Sequence, residues 1–142
     1  MLAAAARRCR LAPLLRRPAP KNARSVPTRA MGQITENVGF DSIAREMRCK
    51  WSADNDKASL SALQGVLEKH LPALKAVKGS KGVQRVVCGG CLDFKIITTL
   101  DADSFGAWEG ANFEPEASIL AEMKAIDGVS LVETQTFTLM PM

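Results

Sequence analysis

Tyrosine is absent from the 142 residues, and histidine occurs once, at His70. An acid–base catalyst built here would therefore have no phenol and a single imidazole to use. Aromatic residues make up 5% of the chain, so its core must be mainly aliphatic. No stretch approaches the roughly 18 consecutive apolar residues of a membrane span, so no such span is expected. Acidic residues are missing altogether from positions 1–30, which carry Arg7, Arg8, Arg10, Arg16, Arg17, Lys21, Arg24 and Arg29.

That imbalance splits the chain in two. The formal charge of +4 hides a body, residues 31–142, with 11 bases against all 15 acids. Such a body repels phosphate backbones, and its densest basic group (Lys75, Lys78, Lys81, Arg85) brackets a glycine-rich loop. No nucleic-acid partner is expected. Residues 1–30, rich in Ala, Leu, Arg and Pro, have the composition of an organellar transit peptide. Arginines interrupt the apolar run that a secretory signal would need. Ser25 and Thr28 are the only hydroxyl residues there, which favours the mitochondrial matrix over a plastid. Residues 31–43 show no period and are expected to form a linker or arm before a single domain, 44–142.

Within that domain Met47, Cys49 and Trp51 alternate with Glu46, Arg48 and Lys50, the period of a strand with one wet face. The segment SADND supplies turn residues, with Asp54 or Asp56 expected to cap a helix. Leu60, Leu63, Leu67, Leu71 and Leu74 then form one apolar helical stripe. Pro72 should kink or restart that helix, and Gly79 and Gly82 should end it. Two β-rich runs follow on either side of Gly89-Gly90, a hairpin signal with positive φ expected at the glycines. On the second run Leu92, Phe94, Ile96 and Leu100 share one face, and Asp93, Lys95, Ile97 and Thr99 share the other. Residues 104–126 read as an interrupted helix, in which Gly106, Gly110 and Pro115 divide a short segment around Trp108 from a better helix. Val129–Met140 reads as a last strand. The order β-α-β-β-α-β predicts an α+β, ferredoxin-like domain with a four-stranded antiparallel sheet and its helices on one face.

From Lys78 to Met140 the chain resembles the ligand-sensing domain of the Lrp/AsnC regulators. The resemblance rests on Gly90, Cys91, Leu92 and Asp93 in the hairpin, and on Gly128-Val129 before a strand bearing Thr134, Thr136 and Thr138. The segment from Trp108 to Pro115 is several residues longer than that family's spacing. Too few residues precede the first strand for a helix-turn-helix, so a DNA-binding regulator is disfavoured. The topology is also similar to the wider dimeric α/β-barrel group, which includes cofactor-free monooxygenases and small cyclases. Those resemblances imply a homodimer formed through the open sheet face and a small organic ligand. Fold alone does not choose between them. The missing tyrosine removes the phenol that some cyclases of the group use.

His70 and Asp93 are the catalytic candidates, His70 as a general base expected to face a cleft between helix and sheet and Asp93 as the best remaining acid. Gly90, Asp93, Trp108, Thr134 and Thr136 are the candidate ligand-binding residues, the threonines through a barrel interior. Cys88 and Cys91 form C-G-G-C on a turn rather than at a helix start, so no dipole assists a thiolate there. They read as turn-flanking cysteines, as a redox-active or reversibly bridged pair, or as half of a metal site. In the body only Cys49 and His70 are left to complete four ligands, and they form no second close pair, so no metal is expected. No cofactor is called for. Three functions stay open: a stand-alone small-molecule-binding barrel domain in an organelle, a cofactor-free barrel enzyme of monooxygenase or cyclase type, and a structural accessory subunit of a mitochondrial complex. The shortage of paired acid–base groups ranks binding first.

Overall fold

The computed structural model describes residues 31–142. The leader lies outside them. Two short strands, β1 (Gly32–Thr35) and β2 (Val38–Phe40), open the described chain as a separate antiparallel hairpin. The expected arm is therefore folded. Met31, Ile34 and Val38 on it are exposed.

Strand β3 (Ser42–Lys50) leads into helix α1 (Asp54–Ala76), then β4 (Ser80–Val87), β5 (Asp93–Asp101), α2 (Ala102–Gly110), α3 (Glu116–Lys124) and β6 (Ser130–Leu139). The four long strands lie in the order β4-β5-β3-β6, all antiparallel. This is the predicted ferredoxin-like arrangement, with the interrupted helix resolved into α2 and α3.

Alternation sets the two faces. Met47 pairs with Ile96 and Cys49 with Phe94, and all four are buried beneath the helices. Leu63, Leu67 and Leu74 of the α1 stripe close the core from above, with Ile119 and Met123 of α3. Burying a side chain such as Phe94 or Ile96 stabilises the fold by roughly 1.5–3 kcal/mol. The other face carries Glu46, Arg48 and Lys50 from β3, and Asp93, Lys95, Ile97 and Thr99 from β5.

Three local expectations need correction. Neither Asp54 nor Asp56 caps α1 with its side chain. Instead Asn55, Asp56 and Lys57 make a left-handed turn (φ 51°, 54° and 61°), and Ser59 Oγ ties the helix to Ser52. That hydroxyl accepts from Ser52 N at 2.9 Å and donates to Ser52 O at 3.1 Å. The helix also runs on through Pro72 without the restart that is one expectation there, and the position is exposed, so water can satisfy the freed carbonyl. Finally, Leu92 rather than a glycine takes positive φ in the β4–β5 hairpin (φ 59°). Its carbonyl is held by Trp51 N at 2.9 Å, and its side chain packs on the core, which fixes that backbone.

Candidate functional site

Three places in the domain gather chemistry-bearing side chains. The first is a pocket of about 360 Å³ between α1 and the sheet edge, lined by Leu60, Ser61, Gln64, Arg85, Val87 and Phe94. It arises because Arg85 and Val87 fall in the helix-facing phase of β4, opposite Ile96 and Phe94. Its floor is apolar. At one side Arg85 Nη1 donates to Gln64 Oε1 at 2.6 Å, and Gln64 Nε2 donates to Glu68 Oε1 at 2.7 Å. The result is an apolar pocket with a guanidinium at its wall, suited to a hydrophobic molecule bearing a negative or polar oxygen.

The second is a clamp between β3, β6 and the start of α3. Arg45 lies in the apolar phase of β3, where Ile43, Met47 and Cys49 point at the helices. Its Nε donates to Glu116 Oε2 at 2.7 Å and its Nη2 to Glu116 Oε1 at 2.8 Å. Nη1 donates to Thr136 Oγ1 at 2.9 Å and Nη2 to Thr134 Oγ1 at 3.0 Å. The Phe113 ring lies 4.1 Å from the guanidinium carbon, and Trp108 meets Phe113 edge to face at 5.2 Å. Trp108 Nε1 donates to Glu114 O at 2.9 Å. The bond to Glu116 raises the pKa of Arg45 further, against the desolvation that would lower it.

The third is the end of the β4–β5 hairpin. Cys88 and Cys91 are disulfide-bonded there. Lys50 Nζ pairs with Asp93 Oδ1 at 2.5 Å and donates to Cys91 O at 2.8 Å. That hydrogen bond to Lys50, with Lys95 and Arg48 nearby, holds Asp93 below the usual carboxylate range.

The structure thus sorts the sequence candidates into two groups and leaves one apart. Gly90, Asp93, Cys88 and Cys91 share the hairpin end. Trp108, Thr134 and Thr136 share the Arg45 clamp, so these threonines face the helices and not a barrel interior. Register decides this, since Thr134 stands opposite Met47 and Thr136 opposite Arg45. His70 stands alone. It does not line the pocket under α1. Its Nε2 lies 2.9 Å from Glu122 Oε1, to which Lys69 Nζ also donates at 2.8 Å, so it joins α1 to α3. Those two bonds, Lys69 first, lower the pKa of Glu122. Asp93, paired with Lys50, is a poor proton acceptor as well. Among the described residues no cluster of three or more His, Cys, Asp and Glu gathers to hold a metal, and no helix is long and apolar enough to cross a membrane.

Sequence reasoning missed Arg45, Glu116, Arg85 and Gln64. The signal for Arg45 was present, because two residues before Met47 a charged side chain occupies the apolar phase. Arg85 carried no such mark, since β4 lacks clean alternation.

No protein-family model matches the chain, and no curated protein matches it. Solved structures do. A chain described as a "putative antibiotic biosynthesis monooxygenase" from Deinococcus radiodurans superposes with a TM-score of 0.54 at 14% identity, covering 70% of this chain and 94% of that one. NE2512, a protein of unknown function from Nitrosomonas europaea, gives 0.52 at 18% identity, with 72% and 93% covered. Rv0793 from Mycobacterium tuberculosis gives 0.50 at 14%, with 71% and 97% covered. The fold is theirs, α+β and ferredoxin-like. At such identity the likeness shows the fold alone. The Lrp/AsnC resemblance is supported only as far as this shared fold group.

Proposed function

We propose that the protein is a homodimeric α/β-barrel enzyme of the cofactor-free monooxygenase type, acting on a small hydrophobic organic molecule. The observation that carries this reading is the pocket under α1, with its apolar floor of Phe94, Val87 and Leu60 and the Arg85–Gln64 pair at its wall. The fold likeness to a chain described as a monooxygenase supports it as analogy. The pocket offers no carboxylate or imidazole as base, so the substrate must be one that ionises readily by itself. Arg85 would stabilise the resulting anion. With no cofactor the substrate supplies all the electrons: an activated CH2 and O2 give C=O and H2O.

Oxygen uptake with 1,8-dihydroxyanthrone, an acidic polycyclic phenol, tests the proposal. Turnover above the spontaneous rate, falling at least tenfold in Arg85→Ala, supports it. Saturable binding without turnover would favour the second reading, a ligand-binding domain. That reading has its own support in the charged groups on the open face, where Glu46, only 5% exposed, lies 3.7 Å from both Arg48 and Lys95.

We further propose that the open faces of two copies meet. Ala44, Ile97, Phe137 and Leu139 make one end of that face apolar, as their register shows. Light scattering on residues 31–142 should give a dimer, and Ile97→Asp should give a monomer. On the composition of residues 1–30 we place the protein in the mitochondrial matrix, with a plastid as the alternative. Import of the full chain into isolated mitochondria, with removal of that segment, tests this.

A further inference from the structure

The disulfide at the hairpin end is not needed to hold the hairpin. Its two cysteines are three residues apart, and the same turn is already fastened by Cys88 N to Asp93 O and Trp51 N to Leu92 O, each at 2.9 Å. A bridge closing so short a loop restricts the unfolded chain little. The bridge is also open to attack. Cys91, Gly89 and Gly90 are exposed, Cys88 is half-buried, and nothing lies within 4 Å of where side chains on the two glycines would stand. The remaining cysteine of the body, Cys49, is buried, and burial pushes its thiol up to about 11, which removes it as a competitor.

The two sulfurs sit in unlike surroundings. The backbone N–H of Cys91 points at Cys88 Sγ from 3.1 Å, a contact that stabilises negative charge on that sulfur. Asp93 Oδ2 lies 3.3 Å from Cys91 Sγ, where its charge disfavours a thiolate. Lys50 offsets part of that charge by pairing with the other oxygen of Asp93.

We propose that Cys88 and Cys91 form a reversible thiol–disulfide exchange site for small thiols of the glutathione class, with Cys88 as the sulfur that carries charge. In the reductive direction a glutathione thiolate bonds to Cys91 Sγ as the Cys88–Cys91 bond breaks. Cys88 leaves with the electron pair, because the sulfur better able to bear charge leaves faster. A second glutathione thiolate bonds to the first glutathione's sulfur, Cys91 departs, and the two cysteines take up two protons. One disulfide is reduced, and two glutathiones become one glutathione disulfide. The site shares no residue with the pocket, although Val87 and Phe94 of the pocket floor adjoin Cys88 and Asp93 in the chain.

Intact-mass spectrometry of the wild-type protein, equilibrated over a series of reduced-to-oxidised glutathione ratios and then alkylated with N-ethylmaleimide, tests the exchange. With Cys9 of the leader counted apart by peptide mapping of the same samples, the expected result is a reversible passage from no label to two labels on the Cys88–Cys91 pair, with Cys49 unlabelled throughout. A bridge that opens with dithiothreitol but never with excess glutathione is structural and overturns the proposal, as does a pair that never closes in excess oxidised glutathione. Iodoacetamide kinetics at pH 7 test the asymmetry. Cys88 in Cys91→Ser should react about threefold faster than Cys91 in Cys88→Ser. Equal or reversed rates overturn the assignment of Cys88.

Discussion

Arg45 and Arg48 stand three residues apart on one strand, and each binds a glutamate through two nitrogens, yet the two pairs are not equivalent. Arg45 and Glu116 retain 15% and 10% side-chain exposure, and the arginine is further held by Thr134, Thr136 and Phe113. Arg48 and Glu133 retain 40% and 54%. Strand alternation causes the difference, because a step of three sends the second arginine to the open face. The same chemical pair is a fastener under the helices and a solvated contact outside them. The lesson concerns the partner left behind. Removing one member strands a desolvated charge in the first case and a hydrated one in the second.

The largest expected effect follows from that contrast. Glu116→Ala should lower unfolding stability by about 3 kcal/mol, read from the urea midpoint, because Arg45 loses its counter-charge while still largely covered. The double change Arg45→Met with Glu116→Leu should recover most of the loss, since no charge is then stranded. If the single variant were as stable as the wild type, the clamp would be no more than a surface pair. Next in size is Thr98→Val. The Thr98 hydroxyl, opposite Arg45 in the register, is fully buried and without a hydrogen-bond partner. Its replacement by a methyl of similar shape should stabilise the domain by up to about 1 kcal/mol in the same measurement.

The smallest effects belong to the exposed groups. Glu133→Ala should leave the urea midpoint unchanged, and a measurable loss would break the contrast between the two arginines. Acid titration sharpens it further. Asp93 and Glu122 both have carboxyls below their ordinary values, 3.8 and 4.5. A depressed carboxyl contributes stability above its unfolded value, and the contribution is lost as pH falls through the folded one. Stability should therefore hold from pH 7 to about 5 and decline below about 4.5. The decline should be shallower in Glu122→Gln, and added salt should flatten it in the wild type.

Much of the scaffold could be read from periodicity. The leucine stripe of α1, the alternation of β5 and the break between α2 and α3 each arise from local spacing, which the chain states outright. The pairing of distant segments is not so stated. Thr134 and Thr136 visibly share a face, but which face depends on the residues opposite in β3, and that register is a property of the folded sheet. His70 sits at the edge of an apolar stripe, and nothing in that stripe reveals that Glu122, fifty-two residues on, will meet it. Leu92 takes the conformation expected of a glycine because its side chain is anchored in the core, so tertiary packing overrode the local preference. Arg45 was legible and overlooked, since a charge in an apolar phase demands a partner.

The central position of β3 has a consequence for how the molecule comes into being. Its neighbours β5 and β6 end at Asp101 and Leu139, so the earliest long strand of the sheet to emerge is the last to be flanked on both sides. Until those final residues are available, one hydrogen-bonding edge of β3 stays open. Closure of this sheet must therefore be a late event that completes only with its last strand, whether the chain leaves a ribosome or threads a membrane pore.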